Sequence, residues 1–322
     1  MSEKQTSDSI WDMIIVGGGP AGYTAGLYAA RANLKVQLIE GASTVSQITT
    51  TDWLENYPGI PGGTGGFELI EMFRNQAVSF GLSVIQADCT ALVSEEWEGK
   101  PCWIVQAGEQ SFRTLSVVVA TGAHWRKLAA PGEDIYTGRG VSYCATCDGP
   151  FFRNREVVVV GGGDTAVQEA LFLTKFVSKV TLVHRRDRLR ATAVLQEKAL
   201  ANEKISFIWN AVVDEISGAE TVANVRLRDV QDKNKVWEVP AAGVFVFIGL
   251  NPNSDLVRGH VDLGNDGAII VDQQMKTSAK GIFACGDCTQ KLLRQVVTAC
   301  GDGATAAFAA QLYVEELKGV AY

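Results

Sequence analysis

Met13-Ile14-Ile15-Val16-Gly17-Gly18-Gly19-Pro20-Ala21-Gly22 is an unbroken apolar run that ends in a glycine-rich turn, and an Ala-rich stretch reaching Ala32 follows it. A second apolar run, Val36 to Ile39, ends at Glu40. Short apolar runs bounded by turn residues read as strands buried on both faces, and the Ala-rich segment between them reads as a helix. The order is strand, tight turn, helix, strand, the βαβ unit that binds a dinucleotide. In that unit the first glycine permits the turn, the second lets the backbone approach a pyrophosphate, and the third lets helix pack on strand. Gly17, Gly19 and Gly22 fill these places, with Pro20 and Ala21 opening the helix at whose positive end phosphates rest. Glu40 stands about 20 residues on, where a carboxylate accepts ribose hydroxyls.

The pattern recurs far downstream. Val157 to Val160 precede Gly161-Gly162-Gly163-Asp164-Thr165-Ala166, then an amphipathic helix runs through about Phe176 and a strand from Val180 to His184. Val117 to Gly122 and Val244 to Gly249 form a second echo, each a buried strand ending in Gly. The chain therefore reads as α/β, with two Rossmann-like three-layer nucleotide-binding domains. Gly122-Ala123-His124 and Leu250-Asn251-Pro252-Asn253 are the places where turn chemistry allows the chain to cross between them. The expected division is a first domain from residues 1–123 and 252–322, with the second, 124–251, inserted into it. In the second copy Gly161, Gly163 and Ala166 take the three glycine places, alongside Asp164 and Thr165. Its acidic position is replaced by His184-Arg185-Arg186, followed by Arg188 and Arg190. Cations there suit a 2′-phosphate, so this site is expected to take NADPH in preference to NADH.

Cys144-Ala145-Thr146-Cys147-Asp148-Gly149 lies a dozen residues before the second turn. Two thiols separated by two residues can close a small disulfide ring and open it again, a two-electron store matched to a nicotinamide. A hydride donor and a disulfide are poorly matched directly, whereas a flavin accepts hydride and hands electrons to sulfur, which makes FAD the expected occupant of the first site. Asp148 is the candidate acid/base for the thiol proton. A free Asp titrates near 3.9, so that role asks for burial. Cys285-Gly286-Asp287-Cys288 is a second C-x-x-C by spacing. It reads first as buried small apolar residues, with an auxiliary redox pair or half of a zinc site as the sharper option.

The chain has 322 residues, 47% hydrophobic and 20% charged, with a formal net charge of −7 and a pI near 5.2. No basic block is present to neutralise a phosphate backbone, so a nucleic-acid partner is not expected. The opening Met1 to Ile10 is polar, and no run of about 18 apolar residues occurs, so neither export nor a membrane span is expected. Seven cysteines in such a chain do not read as a disulfide scaffold, and the expected compartment is the cytoplasm.

With these residues in place, the chain resembles the low-molecular-weight thioredoxin reductases of bacteria over nearly its whole length. The resemblance is carried by Gly17 to Ala25, Gln47-Ile48-Thr49-Thr50-Thr51, Glu55-Asn56-Tyr57-Pro58-Gly59, Ala120 to Ala123, Gly138 to Ser142 and Cys144 to Gly149. It continues through Gly161 to Ala166, His184 to Asp187, Gly281 to Ala284, Gly286-Asp287 and Arg294-Gln295. It implies an FAD domain built from both chain ends and an inserted NADPH domain carrying the disulfide. It also implies FAD contacts from Gln47, Asn56, Thr121, Gly122, Gly286, Asp287, Arg294, Gln295 and Val296, a homodimer, and thioredoxin or a thioredoxin-like protein as substrate. This chain departs from the pattern at Val45-Ser46, where Gly-Gly is usual, at Gln290 and Leu293, and at Cys285, Cys288 and Cys300.

The mechanism this reading implies passes electrons from NADPH through FAD into the Cys144–Cys147 disulfide, whose dithiol then attacks the partner's disulfide, with Cys147 the sulfur expected to face the flavin. One disulfide must meet a flavin and then a bulky protein, so a rotation about the crossings near Ala123 and Asn251 is expected. Arg139 and Phe151 flank the motif as partner contacts, Phe151 alternatively as core. The competing functions are a flavoprotein feeding a peroxidase, which normally carries an extra N-terminal domain, a dithiol oxidase that ignores nicotinamide, and a flavin redox sensor that does not turn over. About a dozen residues precede the first strand, and the intact Gly161 to Ala166 turn with Arg185 and Arg186 disfavours the oxidase.

Overall fold

A computed structural model of the chain describes residues 10–43, 46–51, 54 and 56–320. From the N-terminal side the elements are β1 (Trp11–Val16), α1 (Pro20–Arg31), β2 (Val36–Glu40), α2 (Gly66–Ser79), β3 (Ser83–Gln86), β4 (Cys89–Trp97), β5 (Lys100–Ala107), β6 (Gln110–Val119) and β7 (Ala123–Trp125). The middle of the chain carries α3 (Glu133–Tyr136), β8 (Val141–Ser142), α4 (Ala145–Asp148), β9 (Glu156–Gly161), α5 (Asp164–Leu173), β10 (Lys179–Val183), α6 (Ala193–Leu200) and β11 (Ile205–Ile208). It continues with β12 (Ala211–Gly218), β13 (Val222–Asp229), β14 (Val236–Pro240), β15 (Gly243–Phe247) and β16 (Leu250–Pro252), and the chain closes with β17 (Ile282–Ala284) and α7 (Val296–Lys318).

Two compact units result, Met1–His124 with Asn251–Tyr322, and Trp125–Leu250. The first crossing falls one residue after the expected 123/124 boundary and the second one residue before 251/252. The physical reason is that β7 and β16 pair with each other, so the crossing is a short paired ribbon rather than a single turn.

In the first unit β3, β2, β1, β6 and β17 lie side by side and parallel. Besides β1, the long β6 serves two further neighbours: its first half pairs antiparallel with β5, which pairs with β4, and its last three residues pair with β17. Alternation along β1 explains its unbroken apolar run. Met13 and Ile15 pack under α1, α2 and α7, while Ile14 and Val16 pack on the opposite face with Val105, Val117 and Val119. Both faces are covered, so every position must be apolar.

The second unit repeats the plan. β11, β10, β9, β15 and β8 are parallel, and β12, β13 and β14 form a separate antiparallel sheet. Val157 and Val159 face the cluster built on α5, and Val158 and Val160 face the one that includes Val225 and Leu227 of β13. Each unit thus offers one glycine-rich turn where its central strand meets a helix.

Candidate active site

The residues that open the two helices match to within a few degrees. Gly19 precedes α1 with φ −93° and ψ −175°, and Gly163 precedes α5 with φ −91° and ψ −179°. Gly17 and Gly161 both need positive φ, +118° and +151°. A Cβ on either would strike the carbonyl oxygen closing the neighbouring strand, 2.3 Å from Ala120 O or 2.5 Å from Phe247 O. A Cβ on Gly22 would stand 1.8 Å from Gly17 O, whereas Gly163 has nothing within 4 Å of that position. The inner glycines are thus fixed by packing, and Gly163 leaves open the space into which a phosphate backbone can approach.

In the first unit Glu40 ends β2 and accepts the Tyr23 hydroxyl at 3.1 Å, with Gly18 close beneath it. Burial and the adjacent Glu40 charge push the Tyr23 phenol far up, so it stays a donor. Ser46 turns its hydroxyl toward Gly19, where a Cβ would meet it at 3.3 Å, and Val45 lies outside the described residues, as does Glu55. Gln47 donates to Ala123 O, and Asn56 donates to Gln295 Oε1 at 2.9 Å, which joins two residues named separately from sequence. Thr121 donates its hydroxyl to Asn253 O, and Asn253 returns its side-chain amide to Thr121 O at 2.9 Å, while its backbone N–H donates to Gly122 O. Val296 is the first residue of α7, with Gln295 and Thr298 closing a capping box before it. Arg294 bonds the carbonyls of Asp287 and Thr289.

The fit of a flavin dinucleotide rests on two observations. Gly286 and Gly303 press on Ala21 at the start of α1, where a Cβ on Gly303 would lie 2.2 Å from Ala21 O, so the C-terminal segment frames the phosphate end of the helix. Asp287 Oδ1 is buried without a hydrogen-bond partner among the described residues, and burial holds its carboxyl above the usual carboxylate range against the pull of Lys291 and Arg294. An orphaned buried acceptor asks for a donor from a ligand. These residues fit FAD.

In the second unit the arginine loop is strapped to the turn: Arg190 N–H donates to Gly162 O at 2.7 Å, and Asp164 Oδ1 accepts Thr192 N–H at 2.6 Å. Asp164 therefore organises the loop, while Thr165 and Ala166 continue α5. Arg185, Arg186 and Arg190 are exposed. His184 is not part of that exposed cationic set. It is 6% exposed, its ring lies where a Cβ on Gly162 would come within 2.4 Å, and burial together with Arg190, Arg185 and Arg186 lowers its pKa. It is a buried spacer beneath the turn, one residue past the end of β10. Its Nε2 has no partner among the described residues.

Cys144 and Cys147 form a disulfide with Cα atoms 5.3 Å apart. Cys144 caps α4, and its Sγ accepts the Cys147 N–H at 3.2 Å and lies 3.3 Å from the Thr146 hydroxyl. Ser142 Oγ accepts the Cys144 N–H at 3.1 Å. On reduction, donors already aimed at the Cys144 sulfur stabilise its thiolate. Asp148 closes α4, donates its N–H to Cys144 O, and is half-buried rather than enclosed. Sequence reasoning missed Glu169 on α5, whose carboxyl accepts the Ala145 N–H and is raised by burial. It also missed buried Glu133, which accepts the N–H groups of Leu128 and Ala129 and the Tyr143 hydroxyl, anchoring the residue before Cys144. Gly149 packs on Leu173, and Phe151 is 50% exposed, so it is not core.

Cys285 and Cys288 are free and fully buried. The Cys288 thiol donates toward Cys285 O at 3.3 Å, and burial pushes both thiols up. They are packing residues. Burial likewise raises Cys102 and Cys300 and pushes Cys89 up to about 12. A Cys144→Ser/Cys147→Ser enzyme is therefore expected to show no fast-reacting thiol at pH 8. Titration with an aromatic disulfide reagent checks this, and two rapid equivalents would contradict the packing assignment.

The chain belongs to the pyridine nucleotide-disulphide oxidoreductase family, whose model matches residues 11–303, and within it to the group of bacterial thioredoxin reductases. It is 45% identical over 317 residues to the thioredoxin reductase of Listeria innocua, covering 97% of each chain. It is 44% identical over 314 residues to that of Bacillus subtilis, covering 97% of this chain and 98% of the other. The crystal structure of thioredoxin reductase from Streptococcus pyogenes, 44% identical, superposes with a TM-score of 0.89 over 96% of this chain and 100% of the other.

Proposed function

We propose that this enzyme is an NADPH-dependent thioredoxin-disulfide reductase. The observation that carries the proposal is the Cys144–Cys147 disulfide, built on α4 in the same unit as the Gly161–Ala166 turn and its arginine loop. Bound FAD, held by Gly17 to Gly22, Glu40, Gln47, Asn56, Thr121, Gly122, Gly286, Asp287 and Arg294 to Val296, supplies the two-electron relay between nicotinamide and sulfur. NADPH is held by Gly161, Gly163, Thr165 and Ala166, with Arg185, Arg186 and Arg190 on its 2′-phosphate.

In the dithiol state the Cys144 thiolate attacks one sulfur of the partner's disulfide, forming a mixed disulfide and releasing the partner's other thiolate. Cys147 then attacks Cys144 Sγ, which restores the Cys144–Cys147 bond and leaves the partner with two thiols. Asp148, one residue from Cys147, delivers the proton. Exposed Phe151 and Arg139 flank the motif as contacts for the partner. A homodimer fits Phe308 and Leu312, four residues apart on α7 and 57% and 48% exposed, and five free cysteines suit a reducing cytoplasm.

The test is NADPH consumption by the purified enzyme. Steady turnover that requires oxidised thioredoxin supports the proposal, and a single stoichiometric bleaching without turnover favours the sensor. Arg185→Ala/Arg186→Ala is expected to raise KM for NADPH about 10- to 100-fold, the value of lost charge-assisted hydrogen bonds, and to leave KM for NADH nearly unchanged. Steady-state kinetics with both coenzymes checks it. A crosslink that ties the first unit to the second is expected to abolish thioredoxin reduction while sparing one half-reaction, and full turnover in the locked enzyme excludes the rotation.

A further inference from the structure

The segment between β17 and α7 is held by a charge pair outside the cofactor motifs. Lys291 Nζ and Asp302 Oδ2 form an ion pair whose side chains are 12% and 19% exposed. The same Oδ2 accepts the Gly286 N–H at 3.1 Å. Gly286 has φ +75°, and a Cβ there would lie 2.9 Å from Ala21 Cβ. The turn that carries Asp287 is thus pressed on the start of α1 and pinned from α7 by one oxygen. The groups facing this cluster are the carboxyls of Asp287 and Asp302, the cations of Lys291 and Arg294, and the protonated thiols of Cys285 and Cys288. Arg294 directs its guanidinium at backbone carbonyls. Lys291 is therefore the cation that offsets Asp302, and a sheltered carboxylate stripped of its partner is strongly unfavourable.

We propose that Lys291 and Asp302 are positioning residues for the flavin: their ion pair pins the Gly286 turn and cancels the second carboxylate, leaving Asp287 free to meet the cofactor. This rests on the flavin assignment above. The experiment follows FAD release from holoenzyme by the return of free-flavin fluorescence after dilution, at pH 6 and pH 8. Lys291→Met is expected to release FAD about tenfold faster than wild type at pH 8. Its release is expected to slow at pH 6, because the Asp287 carboxyl, held above the usual carboxylate range by burial and by Asp302, is the one that takes up a proton as pH falls and so relieves their repulsion. Lys291→Met/Asp302→Asn, which leaves no unpaired charge and keeps an acceptor for Gly286, is expected to return to within about threefold of wild type. Asp302→Asn alone is expected to release FAD faster, since Lys291 then has only Asp287 to pair with. Wild-type release in Lys291→Met, or fast release that neither pH nor Asp302→Asn corrects, overturns the proposal. If Lys291→Met yields no folded holoenzyme, unchanged release in Asp302→Asn overturns it alone. A wild-type preparation that takes up no flavin refutes the flavin assignment instead.

Discussion

Replacing Cys144 or Cys147 by Ser is expected to lower thioredoxin reduction by about a thousandfold or more, because each sulfur is a bond-forming atom rather than a tuning group. The two variants differ in what they retain. Cys144→Ser removes the sulfur that accepts the Cys147 N–H and lies beside the Thr146 hydroxyl, and so the stabilised thiolate that attacks the partner. Cys147→Ser keeps that thiolate but removes the sulfur that resolves the mixed disulfide, so it is expected to trap a covalent complex with oxidised thioredoxin. Non-reducing electrophoresis reads the difference. A trapped complex with Cys144→Ser and none with Cys147→Ser would reverse the assignment of attacking and resolving sulfur.

Gly17→Ala is expected to yield protein that retains almost no FAD. The residue sits at φ +118°, and its Cβ would lie 2.3 Å from Ala120 O, a backbone atom that cannot swing aside. Strain in that conformation is worth about 1–3 kcal/mol and forced displacement of packed backbone about as much again. Together these correspond to an affinity loss of about a hundredfold or more. Gly163→Ala is the contrast, because nothing lies within 4 Å of its Cβ position. The protein is expected to fold and stay yellow while KM for NADPH rises about tenfold, the new methyl standing where the phosphates approach. Flavin absorbance on the purified variants, with coenzyme kinetics on Gly163→Ala, separates the two effects. A yellow Gly17→Ala enzyme would contradict the cradle.

Much of this was legible in the sequence because it rests on local rules. The alternating burial of Met13 to Val16 under two different layers forces a continuous apolar run, and that run beside Gly17, Gly19 and Gly22 identifies the turn. The Cys144–Cys147 pair is equally local, two thiols one helical turn apart. What could not be read depends on contacts between distant segments. His184 looks like one more cation ahead of Arg185 and Arg186, yet it is buried and its ring is the floor beneath Gly162. Asp164 reads as one of the NADPH residues of the second turn, and in the structure it also fastens the arginine loop through Thr192 N–H. Asp302 and Lys291 are 11 residues apart and meet only because the chain folds back at the start of α7, so no spacing rule reveals them. Glu133, Glu169 and Asn253 were missed for the same reason. The two crossings were legible from Gly122-Ala123-His124 and Leu250-Asn251-Pro252-Asn253, but the pairing of β7 with β16 into a ribbon there was not, since it joins segments over 120 residues apart.

The most direct test is an anaerobic titration of purified enzyme with NADPH, followed by flavin absorbance and by counting thiols. A flavin and a reducible disulfide each store two electrons, so the wild type is expected to consume about two equivalents of NADPH and to gain about two thiols, and Cys144→Ser/Cys147→Ser to consume about one equivalent and gain none. Equal consumption by the two proteins, with no new thiol in the wild type, would contradict the account.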